Sequence, residues 1–235
     1  MTNMPSSLLR VNPAPPAPFP STAAEVRALR HAISSARLTT YIRRAHGNAR
    51  RAFGLYAWNV NAGAALYPVL QVNEIALRNT IDHALVAQFG AQWPYSPGFL
   101  RTLPKQERDA FESGRLRLER NLRVPRVTTG DVVAAQTYGF WVVLLTSRFQ
   151  RRIWNQEFAT SFPSAPPQVN RSVVHDRADE IRRLRNRIAH HEPLFNHDLL
   201  GAHQRATSMI RWISPPLAQW ATVQWPIDRE LLKQP

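Results

Sequence analysis

The sequence predicts an all-α fold, and three observations carry that expectation. Leu66, Leu70, Leu77, Ile81 and Ala84 recur at spacings of 4, 7, 4 and 3, which places them on one helical face. Val174, Ala178, Ile181, Leu184 and Ile188 do the same at spacings of 4, 3, 3 and 4. Runs that alternate polar and apolar residues with the period of a strand are scarce along the whole chain. At 235 residues the length allows one compact core with extensions. We read residues 21–235 as a single helical domain behind a proline-rich arm at residues 1–20.

Taken in order, residues 1–20 hold six of the 19 prolines. Such text favours extended polyproline conformations and cannot pack a core, so a disordered arm is expected. Thr22 and Glu25 then form a capping-box pattern, in which the threonine oxygen accepts from an orphan N–H and the glutamate reaches back. It starts a helix that runs to about Ser34. A second helix is expected from about Ala36 towards Arg51, with Leu38, Tyr41, Ile42 and Ala45 as its apolar residues. A long helix over Val60 to Phe89 carries the first stripe; Pro68 starts or kinks it, and Gly90 stops it. Trp93, Pro94, Pro97 and Gly98 mark a loop. Pro104 to Asn121 reads as a polar helix, with Arg115, Arg117, Arg120, Arg123 and Arg126 following one another through its end. Asp131 is a candidate cap for the next segment. The apolar run from Tyr138 to Leu145 fits a strand or a buried helix. The helix is preferred, because amphipathic helical text continues through Arg148, Ile153 and Trp154. Phe162 to Pro167 is a break. The second stripe lies on a helix from Asn170 to His190 that ends before Pro193, which biases Glu192 away from helical geometry. A helix over Asp198 to Trp212 and a short last one opening at Pro215 complete the chain.

Thirty Lys and Arg oppose 16 Asp and Glu, for a formal charge of +14. Only Lys105 and Lys233 are lysine; the rest are arginine, whose planar fork suits phosphate. Arginine-rich coding explains arginine over lysine but not the excess over acids, so a polyanion partner is expected, most simply nucleic acid. The absence of cysteine excludes disulfides, thiolate zinc sites and cysteine nucleophiles. No apolar run approaches the roughly 18 residues of a membrane span, and the first residues lack a signal-peptide architecture. A cytoplasmic protein without membrane association is expected. No glycine-rich phosphate loop or nucleophile-elbow text occurs. His197 and His203, near His190 and His191, show no ligand spacing, so neither metal nor cofactor is expected.

Between Glu25 and Glu74 there is no acidic residue, whereas Arg27, Arg30, Arg37, Arg43, Arg44, Arg50 and Arg51 all lie there. This stretch is either a solvated face or a nucleic-acid contact, and Arg37, Arg43, Arg44, Arg50 and Arg51 are the candidate RNA-binding residues. Tryptophans are core residues by default, but Trp93, Trp220 and Trp225 are candidates for stacking on a base.

The densest polar cluster runs from Arg182 to Glu192 at the end of a helix otherwise patterned for burial. At about 100° per residue from Ile181, Arg185 falls near 40°, inside the apolar stripe, and His190 near 180°. A buried guanidinium must find a partner or a ligand, since leaving it unpaired costs several kcal/mol. The wheel separates Arg185 from His190, although a loosened last turn before Pro193 would bring them closer. Asn186 and His190 are four apart and share a face. Arginine, asparagine and histidine so close together suit phosphodiester cleavage. Histidine moves protons near neutrality, arginine stabilises charge on the phosphorane-like transition state, and asparagine orients either. The competing reading is a solvated helix end whose cations favour the dipole's negative pole.

Leu184 to Phe195, Leu-Arg-Asn-Arg-Ile-Ala-His-His-Glu-Pro-Leu-Phe, resembles the signature of the Abi-like (abortive-infection) proteins of the HEPN superfamily. That motif is an arginine, usually followed by a polar residue, with a histidine after four to six residues. Here it is Arg185, Asn186 and His190, and His191 also satisfies the looser spacing. Asn73 to Asn79 is similar to the family's earlier Glu-x-x-x-Arg-Asn helix. Tyr138-Gly-Phe-Trp141, followed by Trp154 and Phe162-Pro163, is similar to its middle segment. The three segments cover roughly residues 35–212. The resemblance implies an HEPN-like helical bundle with extra helices, a homodimer in which two motifs face each other, and metal-independent ribonuclease activity. The implied setting is phage defence or a toxin–antitoxin pair with an antitoxin partner.

Leu77-Arg-Asn-Thr-Ile-Asp-His83 repeats the pattern of Leu184 to His190. Arg78 and His83 could complete the site within one chain, or Glu74, Arg78 and Asn79 could support the main site. Otherwise they are ordinary helix residues, with Glu74 and Arg78 spaced for an ion pair. The sequence-level expectation is an endoribonuclease that uses the RNA's own 2′-hydroxyl, with catalytic residues Arg185, Asn186 and His190. The alternative is a non-catalytic RNA- or partner-binding module on the same basic surface. Changing Arg43 and Arg44 to glutamate is expected to weaken RNA binding and to flatten its log–log salt dependence, by about one unit for each phosphate that is no longer neutralised. A salt titration of the variant checks this, and an unchanged slope would mean a merely solvated face.

Overall fold

A computed structural model describes Pro20 and residues 22–235. The arm expected at residues 1–20 therefore lies, Pro20 aside, outside the described residues. Every regular element among the described residues is helical. The described residues divide into two compact units, those up to Asn59 with Gln234–Pro235, and Val60–Lys233, and the division falls inside the third helix.

The first unit holds α1 (Ala23–Ile33), α2 (Ser35–Arg44) and the start of α3 (Ala49–Phe89). The capping box forms: Glu25 N–H donates to Thr22 Oγ1 at 3.2 Å, and Thr22 N–H to Glu25 Oε2 at 2.8 Å. Helix α2 stops at Arg44 rather than near Arg51, because the chain turns through His46 and Gly47 at positive φ. Asn48 then caps α3, its Oδ1 accepting from Arg51 N–H at 3.0 Å. Helix α3 thus begins well before Val60, and buries Ala52, Phe53, Leu55 and Trp58 on the way. In the C-terminal tail, Gln234 Oε1 accepts from Arg44 at 3.2 Å.

Pro68 lies inside α3 and neither starts nor ends it. A mid-helix proline takes away the donor for the carbonyl four residues back. That carbonyl belongs to Ala64, an exposed residue, so water can serve it. Gly90, at φ +83°, ends the helix in the left-handed region that glycine tolerates best.

The second unit adds α4 (Pro97–Leu100), α5 (Lys105–Leu122), α6 (Thr129–Ala135), α7 (Tyr138–Leu144), α8 (Asn155–Ser161), α9 (Arg171–Ala189), α10 (Leu199–Ile213) and α11 (Pro215–Gln224). Thr128, not Asp131, is the N-cap of α6; Asp131 is the returning acid of its capping box. The Tyr138 run is helical, as preferred, but the helix does not continue to Trp154. A 3₁₀ turn (Ser147–Phe149) and a π turn (Gln150–Trp154) intervene, and the change of pitch keeps both Ile153 and Trp154 buried. Trp93 is 0% exposed, wedged against Phe99, Phe111 and Trp141, with its indole N–H on Asp82 at 2.7 Å. It cannot stack on an external base.

Helix α9 places Val174, Ala178, Ile181 and Leu184 in the core and packs on α7 and α10. It also approaches α3 so closely that a Cβ at Gly63 would sit 3.3 Å from Ile188 Cγ2. One polar residue is locked among these helices. Asn73 is 0% exposed. Its Oδ1 accepts from the Tyr138 hydroxyl of α7 at 2.7 Å, and its Nδ2 donates to the Ala206 carbonyl of α10 at 3.1 Å. Burial, reinforced by the negative charge of Glu74, pushes the Tyr138 hydroxyl well above its usual range, so it remains a donor.

Replacing Asn73 with alanine removes both bonds and leaves the Tyr138 hydroxyl and the Ala206 carbonyl buried without partners. A loss of about 3 kcal/mol in urea unfolding is expected, and a loss below about 1 kcal/mol would contradict the network. A second expectation concerns acid. Burial holds the imidazole of His203 below its ordinary pKa, so the unfolded chain binds its proton first. Stability should therefore be full above about pH 6.5 and fall as the pH drops below it towards the folded value. His203→Gln should flatten this slope below about pH 6.5, which urea titrations on the acid side of that pH would measure.

Candidate functional site

The site is built on one exposed turn of α3 and the last third of α9. The wheel places Arg185 inside the α9 stripe, whereas the structure has it at the stripe's edge with its side chain 34% exposed. Its partner is Glu74, 19% exposed: Arg185 Nε donates to Glu74 Oε2 at 3.1 Å. Its NH1 also leans on Asn186 Oδ1 at 3.4 Å. The ion pair that the spacing suggested between Glu74 and Arg78 is not among those formed by the described residues. Glu74 reaches across to α9 instead.

Among the described residues Arg78 has no carboxylate partner. Its Nε is buried and has no hydrogen-bond partner. Arg78 and Arg185 line a cavity of about 200 Å³ together with Tyr67, Gln71, Glu74 and Ile75. Two guanidiniums against one carboxylate leave a net positive charge there. Arg185 spends Nε on Glu74 and NH1 on Asn186, and Arg78 forms no ion pair among the described residues. Such a lining favours an anion with several acceptor oxygens.

The remaining motif residues lie elsewhere. Helix α9 does not loosen before Pro193: the N–H of His190 still donates to the Asn186 carbonyl at 2.8 Å. The reversal comes at His191, with φ +57°. There His191 N–H meets the Ile188 carbonyl at 3.0 Å and Glu192 N–H the Arg187 carbonyl at 2.9 Å. This is the paired C-terminal pattern usually closed by glycine. Arg187 braces the turn through Glu192 at 3.0 Å. Because the helix stays regular, Arg185 and His190 stand about 140° apart around its axis. His190 and His191 are exposed, and neither lines the cavity. Asn79 and His83 are also exposed and outside it. The two Leu-Arg-Asn segments thus bring their arginines together at one cavity, and not their asparagines or histidines.

Arg27, Arg30, Arg37, Arg43, Arg44, Arg50 and Arg51 are all exposed within the first unit. Glu25 is the one acid in that unit's described sequence. Trp220 and Trp225, 49% and 40% exposed, meet edge to face at 5.1 Å. His197 lines a separate cavity between α9 and α10, where Arg205 pairs with Glu180 at 2.9 Å and Asp198 at 3.3 Å. Burial, and then Arg187, lower the pKa of His197. Among the described residues no three His, Asp or Glu side chains converge as a metal-ligand set, and no helix is long and apolar enough to cross a membrane.

Sequence reading missed Tyr67, Gln71 and Ile75. The signal was present: Val60, Ala64, Tyr67, Gln71 and Ile75 recur every three or four residues on a face about a third of a turn round the helix from the Leu66 stripe, and carry no charge. Comparison of the chain with family models, curated proteins and solved structures finds no match.

A double-mutant cycle on Glu74→Ala and Arg185→Ala should return a coupling of about 1 kcal/mol, at the upper end for a partly exposed pair, and it should shrink in high salt. Coupling indistinguishable from zero at low salt would mean that Glu74 does not hold Arg185.

Proposed function

We propose that this chain is a metal-independent endoribonuclease of the Abi-like HEPN type, cytoplasmic and acting in phage defence or beside an antitoxin partner. The observation that carries the reading is Arg78, which has no ion pair among the described residues, beside the half-neutralised Arg185 in one cavity. That arrangement suits a phosphodiester whose charge rises during cleavage. The net charge of +14 and the exposed Arg37, Arg43, Arg44, Arg50 and Arg51 support RNA as the polyanion.

In the reaction, the 2′-oxygen forms a bond to phosphorus as the bond to the 5′-oxygen breaks. The 2′-hydroxyl proton passes to a base, and the departing 5′-oxygen takes a proton from an acid. Arg185, oriented by Glu74 and Asn186, and Arg78 hold the non-bridging oxygens. His190 serves as the base or the acid, with His191 next to it as the rival for that role. Since Arg185 and His190 face different directions on one α9, a site that uses both is completed by a second copy of the chain. We therefore place the activity in a homodimer. The exposure of His190 away from the cavity favours a second reading, an RNA-binding module without turnover.

Wild-type protein should cleave total RNA in the presence of EDTA and leave 2′,3′-cyclic phosphate ends. His190→Ala should lower the rate by about 10²- to 10⁴-fold, and Arg78→Ala should raise the RNA concentration needed. Activity lost on chelation and restored by a divalent ion would overturn the mechanism. RNA binding without any cleavage would select the second reading.

A further inference from the structure

The cavity is not uniform along α3, and its two ends differ in chemistry. Glu74, Arg78 and Arg185 make one end charged. The other is formed by Tyr67 and Gln71, one helical turn apart, with Ile75 beside them. Tyr67 is 47% exposed and Ile75 37%, and Gln71 is exposed as well. Among the described residues neither the Tyr67 hydroxyl nor the Gln71 amide has a hydrogen-bond partner, so both are open to a ligand. An aromatic face offers any base about 1–3 kcal/mol of stacking. A free amide presents donor and acceptor together, the pattern that base edges present in return. The residues on either side, Val60, Ala64 and Ile75, carry no charge that would compete for the phosphate.

We propose that this cavity is a single-nucleotide subsite. Arg78 and Arg185 take one phosphate, Tyr67 stacks on the base beside it, and Gln71 bonds to that base's edge. The inference rests on the RNA reading of the same cavity and adds a restriction: the nucleotide must be unpaired. A base held in a duplex has its faces covered by its neighbours and cannot present one to Tyr67. Tyr67 and Gln71 are thus specificity residues, and Arg78 and Arg185 supply attraction independent of sequence.

Binding of a fluorescein-labelled 2′-O-methyl tetranucleotide to the full chain tests this without cleavage, since the probe has no free 2′-hydroxyl. Tyr67→Ala should weaken binding about tenfold, and Tyr67→Phe should retain it. The same tetranucleotide with abasic sites should bind wild type and Tyr67→Ala equally. Gln71→Ala should level the affinities for the four homopolymeric probes. Equal binding by wild type and Tyr67→Ala would overturn the subsite, as would an equal loss on base-bearing and abasic probes, or duplex RNA bound as tightly as single strands. Should the expected pattern appear in a protein that cleaves no RNA, the subsite stands and the nuclease reading falls. Should RNA be cleaved with Tyr67→Ala indistinguishable from wild type in these assays, the subsite alone falls.

Discussion

Two neighbouring residues on α3, Asn73 and Glu74, face the same physical demand: a polar group withdrawn from water must be given a partner. Asn73 meets it inside the core, accepting from Tyr138 on α7 and donating to Ala206 on α10. Glu74 meets it at the core's edge by pairing with Arg185 on α9. One turn of α3 therefore fixes its registry against three other helices of the second unit. Apolar packing alone would tolerate small slides among these helices, because burial has no direction. Hydrogen bonds at 2.7 and 3.1 Å do not tolerate them. The close approach of Gly63 to Ile188 adds a steric limit between α3 and α9.

The charge distribution at the cavity follows from that registry. Glu74 could have served Arg78 within its own helix, as the spacing allows. Committing it to α9 instead leaves a guanidinium whose Nε is buried and unpartnered. An unsatisfied donor of this kind costs stability. Arg78 also lines the cavity and forms no ion pair among the described residues, so its charge there is not neutralised within its own helix. Elsewhere in the second unit several arginines are engaged by neighbours. Arg205 joins α9 to α10, Arg187 braces the turn after α9, and Arg115 and Arg126 lie over the ring of Tyr95.

Much of the fold was legible because its signals are local. The Thr22–Glu25 box, the helix starts near Asn170 and Asp198, Pro215 at a first turn and the two apolar stripes all act within a few residues of where they are read. The break between α2 and α3 was missed although Gly47-Asn48 is local text, because the apolar spacing runs on across it. The π turn was missed because a change of helical pitch is decided by what must be buried and not by composition. For the site, the wheel found that Arg185 needs a partner but could not choose one. Glu74 lies 111 residues away in sequence, and the local candidate was Arg78. The motif spacing grouped Arg185 with His190, whereas the regular helix turns them apart.

The charge of the cavity depends most on which cation Glu74 serves and which it leaves free. A crystal structure of the full chain with a 2′-O-methyl dinucleotide measures this directly. The account predicts Glu74 still bonded to Arg185, with the phosphate seated between Arg78 and the free edge of Arg185. Glu74 paired with Arg78 and the phosphate bound outside the cavity would contradict it.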